Sequence, residues 1–322
     1  MRAVHVDNGV WDQTRVIVPV RNGGPRWIEA ATALRLAVPD PSMIVVVDST
    51  STDGSERVAA AHGFELQRID PGTFNHGRTR QWAVEEFCRG KAFAVLLTQD
   101  AVLDSDDSIE TLLEAFRDER VGAAYGRQLP HNDALPFEAH AALFNYRPTS
   151  QTRSLADARH MGIKAAFFSN SYAAYRITAL ASCGGFPDHL ILGEDAYVAM
   201  RLLTSGWCVK YCADALVRHS HDYSVTAEMQ RYFDFGVMHA QIPELLQWFG
   251  HPEGEGVRFV LSELAYMRRS APWLLPEVVI RNAAKYVGYR LGRAFSVLPR
   301  GMCRRLSMTK VYWQSLPDRS SP

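Results

Sequence analysis

The sequence predicts an α/β chain: a doubly wound, mixed sheet flanked by helices, followed by a helical C-terminal extension. Three observations carry this expectation. From Arg15 onward, short apolar runs alternate with segments of helical periodicity, the rhythm of βαβ units. Two of those runs, "MIVVVD" and "VLLTQDAVLD" at residues 95–104, open as apolar stretches with little alternation, as strands covered on both faces do. Beyond about Val225 the pattern becomes helical and amphipathic.

In order, "RVIVPV" is a strand, "PRWIEAATALRLAV" a helix, "MIVVVD" a strand, "TDGSERVAAAHG" a helix and "FELQRI" a strand. A helix from Thr79 to Cys88 leads into the 95–104 strand, and "SDDSIETLLEAFRD" follows, its acidic residues placed where a helix N-terminus favours them. Residues 127–164 are less regular, with prolines, histidines and the polar stretch "RPTSQTRSLADARH"; the expectation is a functional or mobile loop. "AAFFSNSYAAYRITALASCGGFP" reads as strand, helix and a Gly-Gly stop. "GEDAYVAMRLLTSGW" reads as a helix opened by an acidic pair, and "DALVRHSHDYS" as a short strand ending in two histidines. Between Arg281 and Lys310 stand eight basic residues and no acidic one, with Val287, Leu291, Ala294, Phe295 and Leu298 on one helical face. Such a helix suits a surface of anionic lipid, and equally a solvated basic face on the globule.

At 322 residues the chain can bury a large core. Lysine plus arginine equals aspartate plus glutamate at 35 each, so the global basic field of a nucleic-acid binder is missing. Five cysteines without CxxC spacing argue against a zinc ribbon or a secreted disulfide framework and fit a reducing cytoplasm. The expectation is a cytoplasmic protein with no export signal and no spanning segment. "PVRNGGPRW" after the first strand lacks the GxGxxG of a dinucleotide-binding oxidoreductase.

In open sheets ligands bind beyond the carboxyl ends of the strands. Three acidic points stand there: Asp48, Asp100 and the Glu194-Asp195 pair. "VVVDSTSTDGS" places Asp48 at a strand exit, before a Ser/Thr turn that can hold a nucleoside; for Asp53 a plain capping turn is the competing reading. "FNHGRTRQW" sets Asn75, His76, Gly77, Arg78 and Arg80 at a helix start, where the dipole and guanidinium groups suit a diphosphate.

The series "VIVPVRNGG", "VVVDSTSTDGS", "FNHGRTR", "LLTQDA", "FSNSYAAYR", "GGFP", "GEDAYVAMRLLTSGW" resembles the family 2 inverting glycosyltransferases of GT-A fold. "FNHGRTR" with "TQDA" and "HSHDYS" is similar to the bacterial rhamnosyltransferase branch that builds surface polysaccharides such as O-antigen. The resemblance covers Arg15 to Ser224, with a weaker match at "LGRAFSVLPRGMCRRLSMTKVYW".

The resemblance implies a catalytic domain over 1–225, with a donor half at 15–126 and an acceptor half at 127–225, and a basic amphipathic helical region over 226–322. It implies transfer of L-rhamnose from dTDP-β-L-rhamnose to a glycan hydroxyl, the acceptor being lipid-linked. The alternatives are another UDP- or GDP-sugar donor, or a catalytically silent nucleotide-sugar-binding scaffold. The base is then Asp195, with Glu194 orienting the acceptor or taking the role itself. Pro19, Arg21, Asp48, Ser49, Ser51, Asn75, Gly77, Arg80, Gln99 and Asp100 fall on the donor side. Relatives carry a second acid where Gln99 stands, and often an Asp at Ser49. Asp100 with His219 or His221 is the implied ligand set for Mg²⁺ or Mn²⁺. Implied partners are a nucleotide sugar, a glycan acceptor and peripheral contact with the cytoplasmic face of the inner membrane, with no nucleic acid.

Overall fold

The computed structural model describes residues 9–316. A short helical turn α1 (Gly9–Asp12) leads into β1 (Thr14–Val20), α2 (Gly24–Ala37), β2 (Ile44–Asp48), α3 (Ser55–Ala61), β3 (Glu65–Arg68), α4 (His76–Phe87) and β4 (Phe93–Leu97). These four strands are parallel in the order β3-β2-β1-β4. The chain moves outward from β1 and then returns through α4 to β4, so a topological switch point lies between the carboxyl ends of β1 and β4.

The second half extends the sheet. β5 (Val102–Leu103), α5 (Ser108–Leu113), β6 (Val121–Leu129), α6 (Pro136–Asn145), β7 (Gln151–Arg153), α7 (Ala158–Met161), β8 (Tyr172–Arg176), α8 (Ile177–Ser182), α9 (Glu194–Thr204) and β9 (Cys208–Arg218) follow in sequence. β8 lies antiparallel between β4 and β6, β9 runs parallel to β6, and β5 and β7 pair with opposite ends of β9. The sheet is therefore mixed beyond β4. Alternation along β1 divides the core: Val16, Val18 and Val20 pack with Trp27 and Leu34 of α2, whereas Ile17 faces a cluster that contains Tyr175, Phe233 and Trp313.

Several expectations change. The helix expected from Thr79 begins at His76, and the strand expected at "DALVR" is the end of the 11-residue β9. The segment 127–164 is not a loop: it holds the end of β6, α6, β7 and α7. Pro136, one of the prolines that disguise it as irregular, opens α6 at its first turn, where a missing N–H costs nothing.

From Val225 the chain is helical: α10 (Val225–Gln241), α11 (Pro243–Phe249), α12 (Glu253–Ser270), α13 (Leu275–Arg293), α14 (Arg300–Leu306) and α15 (Lys310–Ser315). Helices α10, α11, α14 and α15 share the core of one sheet face through Phe233, Val237, Leu245, Cys303 and Trp313, while Met267 of α12 and Val278 of α13 form a separate cluster with Phe137. The backbones of α10 and α13 nearly touch. A Cβ on Gly288 would lie 2.2 Å from Met229 O, and one on Gly292 2.0 Å from Phe233 O. That contact corrects the amphipathic face expected at Val287, Leu291, Ala294, Phe295 and Leu298. Leu291, Phe295 and Leu298 pack against the main core, and of the large side chains in that set only Val287 stays exposed. Arg281 and Lys285 are also inward, sealed in ion pairs with Glu228 of α10 at 3.1 and 3.3 Å. Among the described residues no helix is long and apolar enough to cross a membrane.

Candidate active site

A cleft of about 840 Å³ opens at the switch point and continues toward the C-terminal helices. Its floor is stapled by Gln99, whose Oε1 accepts from Arg21 N at 2.6 Å and whose Nε2 donates to Arg21 O at 3.3 Å. The amide at the position of a second acid thus ties the exit of β4 to that of β1. Pro19, Arg21, Ser49, Arg80, Gln99, Asp100, Glu194, Asp195, His219 and His221 all line the cleft.

Asp100 meets both histidines. His219 Nε2 lies 3.5 Å from Asp100 Oδ1, and His221 Nδ1 3.5 Å from Asp100 Oδ2. One ligand atom from each residue falls within 4.8 Å of the others. Sequence reasoning left the choice between the two histidines open, and the structure brings both together. Gln128 of β6 orients the pair: its Oε1 accepts from His219 Nδ1 at 2.9 Å, and its Nε2 donates to Ser169 Oγ at 2.8 Å. That bond fixes the ring with Nε2 of His219 turned toward Asp100, the orientation by which metal-binding imidazoles are held. Burial pushes the Asp100 carboxyl up, but the hydrogen bond and charge of His219, then His221, outweigh it and hold the group well below the usual carboxylate range. Burial pushes His221 down to about 4, keeping its imidazole in the neutral, ligating form near pH 7. One carboxylate and two imidazoles converging in this way fit a divalent transition-metal ion better than Mg²⁺, which prefers an all-oxygen shell.

The acidic pair opens α9, whose N-cap Gly193 is left-handed at φ 81°, with a Cβ there falling 2.1 Å from Met238 Sδ. Its two members have different surroundings. Glu194 is buried against Arg80, whose Nη1 donates to Oε1 at 2.7 Å, while Asn170 Nδ2 donates to the same oxygen at 3.1 Å. Burial opposes ionisation of Glu194, yet Arg80 and then His76 hold it below its ordinary value. Among the described residues no cation forms an ion pair with Asp195. Its oxygens accept from Ala196 N at 2.7 Å and Asn170 N at 3.2 Å. Burial, reinforced by the neighbouring Glu194 charge, pushes Asp195 up to about 7. A carboxyl so raised that also lines the cleft has the chemistry to accept a proton near neutral pH.

At the helix start "FNHGRTR" most of the polar groups expected to meet a diphosphate have partners within the protein. Asn75 Oδ1 already accepts from Gly77 N and Arg78 N at 3.0 Å each, and its Nδ2 donates to Leu190 O. Gly77 lies so close to Pro187 that a Cβ would fall 1.7 Å from Pro187 O. Arg80 is spent on Glu194, and Arg78 faces outward to Asp188 at 3.6 Å. Asn75 and Gly77 do not line the cleft; with Arg80 they build the platform under the acidic pair.

The β2–α3 loop is likewise occupied internally. Ser51 Oγ accepts from Asn22 N at 2.9 Å, Ser55 Oγ from Gly23 N at 3.0 Å, and Asp53 Oδ2 from Gly24 N at 2.9 Å. Asp48 is fully buried behind the cleft wall and accepts from Ser51 N at 2.7 Å. Its Oδ2 and the hydroxyl of Ser49 have unused hydrogen-bonding capacity.

Three residues escape sequence reasoning. Asn170 joins the acidic pair to Tyr175, whose hydroxyl donates to Asn170 Oδ1 at 2.7 Å; the quoted "FSNSY" held that signal. Gln128 lies in β6, a strand with no site motif in its sequence. Arg231 of α10 lines the cleft against the rings of Tyr223 and Phe235, at 5.7 and 5.1 Å. Among the described residues no carboxylate forms an ion pair with it. Its charge helps lower both His221 and His76.

The model of the family described as "Glycosyltransferase like family 2" matches residues 13–233. The O-antigen chain rhamnosyltransferase WbaN of Salmonella anatum is 42% identical over 307 residues, 95% of this chain and 97% of that protein. The O-antigen chain rhamnosyltransferase RfbN of Salmonella typhimurium (strain LT2) is 41% identical over 95% of this chain and 98% of its own length. Among solved structures, the mannosyltransferase PcManGT from Pyrobaculum calidifontis, in complex with GDP-Man and Mn²⁺, superposes with a TM-score of 0.53. It is 18% identical, covering 94% of this chain and 85% of that one. S. aureus TarS 1-349 gives a TM-score of 0.52 at 14% identity, over 88% and 91% of the two chains. These likenesses agree with a mixed α/β sheet of GT-A type carrying C-terminal helices.

Proposed function

The chain belongs to the glycosyltransferase-like family 2, and on that premise we propose that it transfers L-rhamnose from dTDP-β-L-rhamnose to a hydroxyl of an O-antigen glycan, inverting the anomeric centre. The 42% identity to a rhamnosyltransferase over nearly the whole of both chains supports the sugar and the acceptor class. The observation that carries the chemistry is Asp195, pushed up to about 7 in the same cleft as Asp100, His219 and His221.

Asp195 accepts the proton of the acceptor hydroxyl as that oxygen bonds the anomeric carbon. The bond from this carbon to the β-phosphate oxygen breaks, and dTDP departs with the electron pair. Attack from the face opposite the leaving group converts the β-linkage to α. Asp195 finishes protonated and returns its proton to water. Glu194, neutralised by Arg80, orients the base and keeps its affinity for a proton high. Arg231 provides a fixed positive charge for the departing diphosphate. Asp100, His219 and His221 would hold a divalent cation, Mn²⁺ in preference to Mg²⁺, which when bound would supply Lewis-acid neutralisation of that diphosphate. Ser49, which lines the cleft, offers its unused hydroxyl to the nucleobase. The acceptor occupies the lobe toward the C-terminal helices, where Phe137, Tyr232 and Phe259 supply ring faces and Glu138 a polar contact.

The test is dTDP release from a panel of nucleotide sugars with Mn²⁺ and an O-antigen oligosaccharide, with the new linkage examined by NMR. Turnover of dTDP-rhamnose to an α-linked product is expected. Preference for a UDP- or GDP-sugar would overturn the donor assignment, and a β-linked product the inverting mechanism.

A further inference from the structure

Most of the large apolar side chains left in solvent belong to the C-terminal helices, and α13 presents them as a row. Val279, Ile280, Ala283, Tyr286 and Val287 recur at helical spacing, and Trp273 stands just before the helix. Exposure of the large members runs from 48% for Val287 to 74% for Trp273. At about 100° per residue this row lies diametrically opposite the face bearing Arg281 and Lys285. Those two are held by Glu228, Glu263 and Glu277, so the outward orientation of the row is fixed by buried ion pairs on the other side of the helix.

The charge around the row is basic apart from Glu277, which is paired with Arg281 at 2.7 Å. Arg268 and Arg269, both exposed, precede it and the exposed Arg290 closes it. From Val278 to Leu316 the sequence contains no aspartate or glutamate. The aromatic members, Trp273 and Tyr286, are the residue types that favour the boundary between acyl chains and headgroups. A two-fold pairing of this face with a second copy would set arginines against arginines, which disfavours it.

We infer that the outer face of α13 docks on an anionic lipid bilayer, lying in the plane of the headgroups with Trp273, Val279, Ile280 and Val287 dipping toward the acyl chains. Because the inner face of the same helix lines the cleft, docking holds the acceptor lobe within one helix diameter of the membrane, about 10 Å. A lipid-carried glycan then reaches the site without leaving the surface. The inference does not depend on which nucleotide sugar is the donor.

The experiment is flotation of the full-length protein with vesicles of phosphatidylethanolamine and phosphatidylglycerol, against vesicles of phosphatidylcholine alone. The variants are Ile280→Glu with Val287→Glu, both at exposed positions, with circular dichroism and hydrolysis of the donor in solution as checks on the fold. Flotation on the anionic vesicles is expected to fall by about tenfold or more in the variant and to weaken with salt, while hydrolysis in solution is unchanged. Absent flotation, equal flotation on neutral vesicles, or wild-type flotation of the variant each overturns the inference. So does a wild-type dimer that the same substitutions dissociate, because a second copy would then cover the face.

Discussion

Arg80 and Glu194, 114 residues apart in sequence, form an ion pair of 2.7 Å with both side chains at least nine-tenths buried. The pair separates two neighbouring acids by environment: Glu194 is ionised and spent, while Asp195 is left to titrate. Removing one partner strands the other in a low-dielectric site, so Arg80→Met and Glu194→Gln should each destabilise the protein by about 3–5 kcal/mol in chemical denaturation. Their effects on Asp195 differ in sign. Without Arg80 the uncompensated Glu194 charge raises Asp195 further; without Glu194 the remaining guanidinium lowers it. The pH profiles of the two variants should therefore move apart, upward for Arg80→Met and downward for Glu194→Gln.

In the wild-type enzyme kcat/KM should climb with pH through about 7, the value to which Asp195 is pushed, because only the ionised form accepts the acceptor proton. Asp195→Asn should lose about 10²- to 10⁴-fold in transfer with donor affinity retained, and should lose the rising limb. The same substitution bears on stability. A carboxyl raised in the folded state binds its proton more tightly there than when unfolded, so ionising it as pH climbs from about 4 to above 7 costs folding free energy. Asp195→Asn should match the wild type at low pH and exceed it in Tm above pH 7.

Metal binding and chemistry can be read separately. Asp100→Ala and His219→Ala should abolish Mn²⁺ binding measured by calorimetry or electron paramagnetic resonance, and chelation should silence the wild type. Gln128→Leu touches no ligand atom of the cluster. By freeing the His219 ring it should weaken Mn²⁺ about 10- to 100-fold. Unchanged affinity in Gln128→Leu would show that the ring is held some other way.

Arg231→Gln should lower kcat more than it raises KM for the donor, since a charge that meets the departing diphosphate matters most as negative charge develops. Arg231 packs on rings and not in an ion pair, so the melting temperature should shift by only a few degrees. Equal losses in ground-state donor binding and in turnover would place it on the bound nucleotide alone.

How much of this was legible follows from where each partner lies in the chain. Strand exits declare themselves locally, so Asp48 and Asp100 stand where an apolar run ends, and "GED" opens a helix of clear periodicity. What they meet is set by strand order. β8 enters between β4 and β6 and carries Asn170 to Glu194, and β9 pairs with β6 and brings Gln128 to His219, partners 24 and 91 residues apart. No local pattern encodes those pairings. Arg281 and Lys285 look like solvated charges in sequence because their carboxylate partners Glu228 and Glu263 sit on other helices.

"FNHG" is where local chemistry and tertiary packing disagree most sharply, and Gly77→Ala separates them. As a phosphate cradle, Gly77 would give up donor affinity on substitution while the fold persisted, since a methyl would crowd the ligand. In the structure the methyl meets backbone, at 1.7 Å from Pro187 O, and neither side can yield without moving α4 away from the loop that leads to Glu194. Overpacking of this kind typically costs about 1–3 kcal/mol, and more where the clash is with backbone. Gly77→Ala is therefore expected to melt earlier and to lose turnover, because Arg80 and Glu194 shift with α4, while the fraction that stays folded binds the donor with wild-type affinity. A normal melting temperature with weakened donor binding would return the helix start to the phosphates.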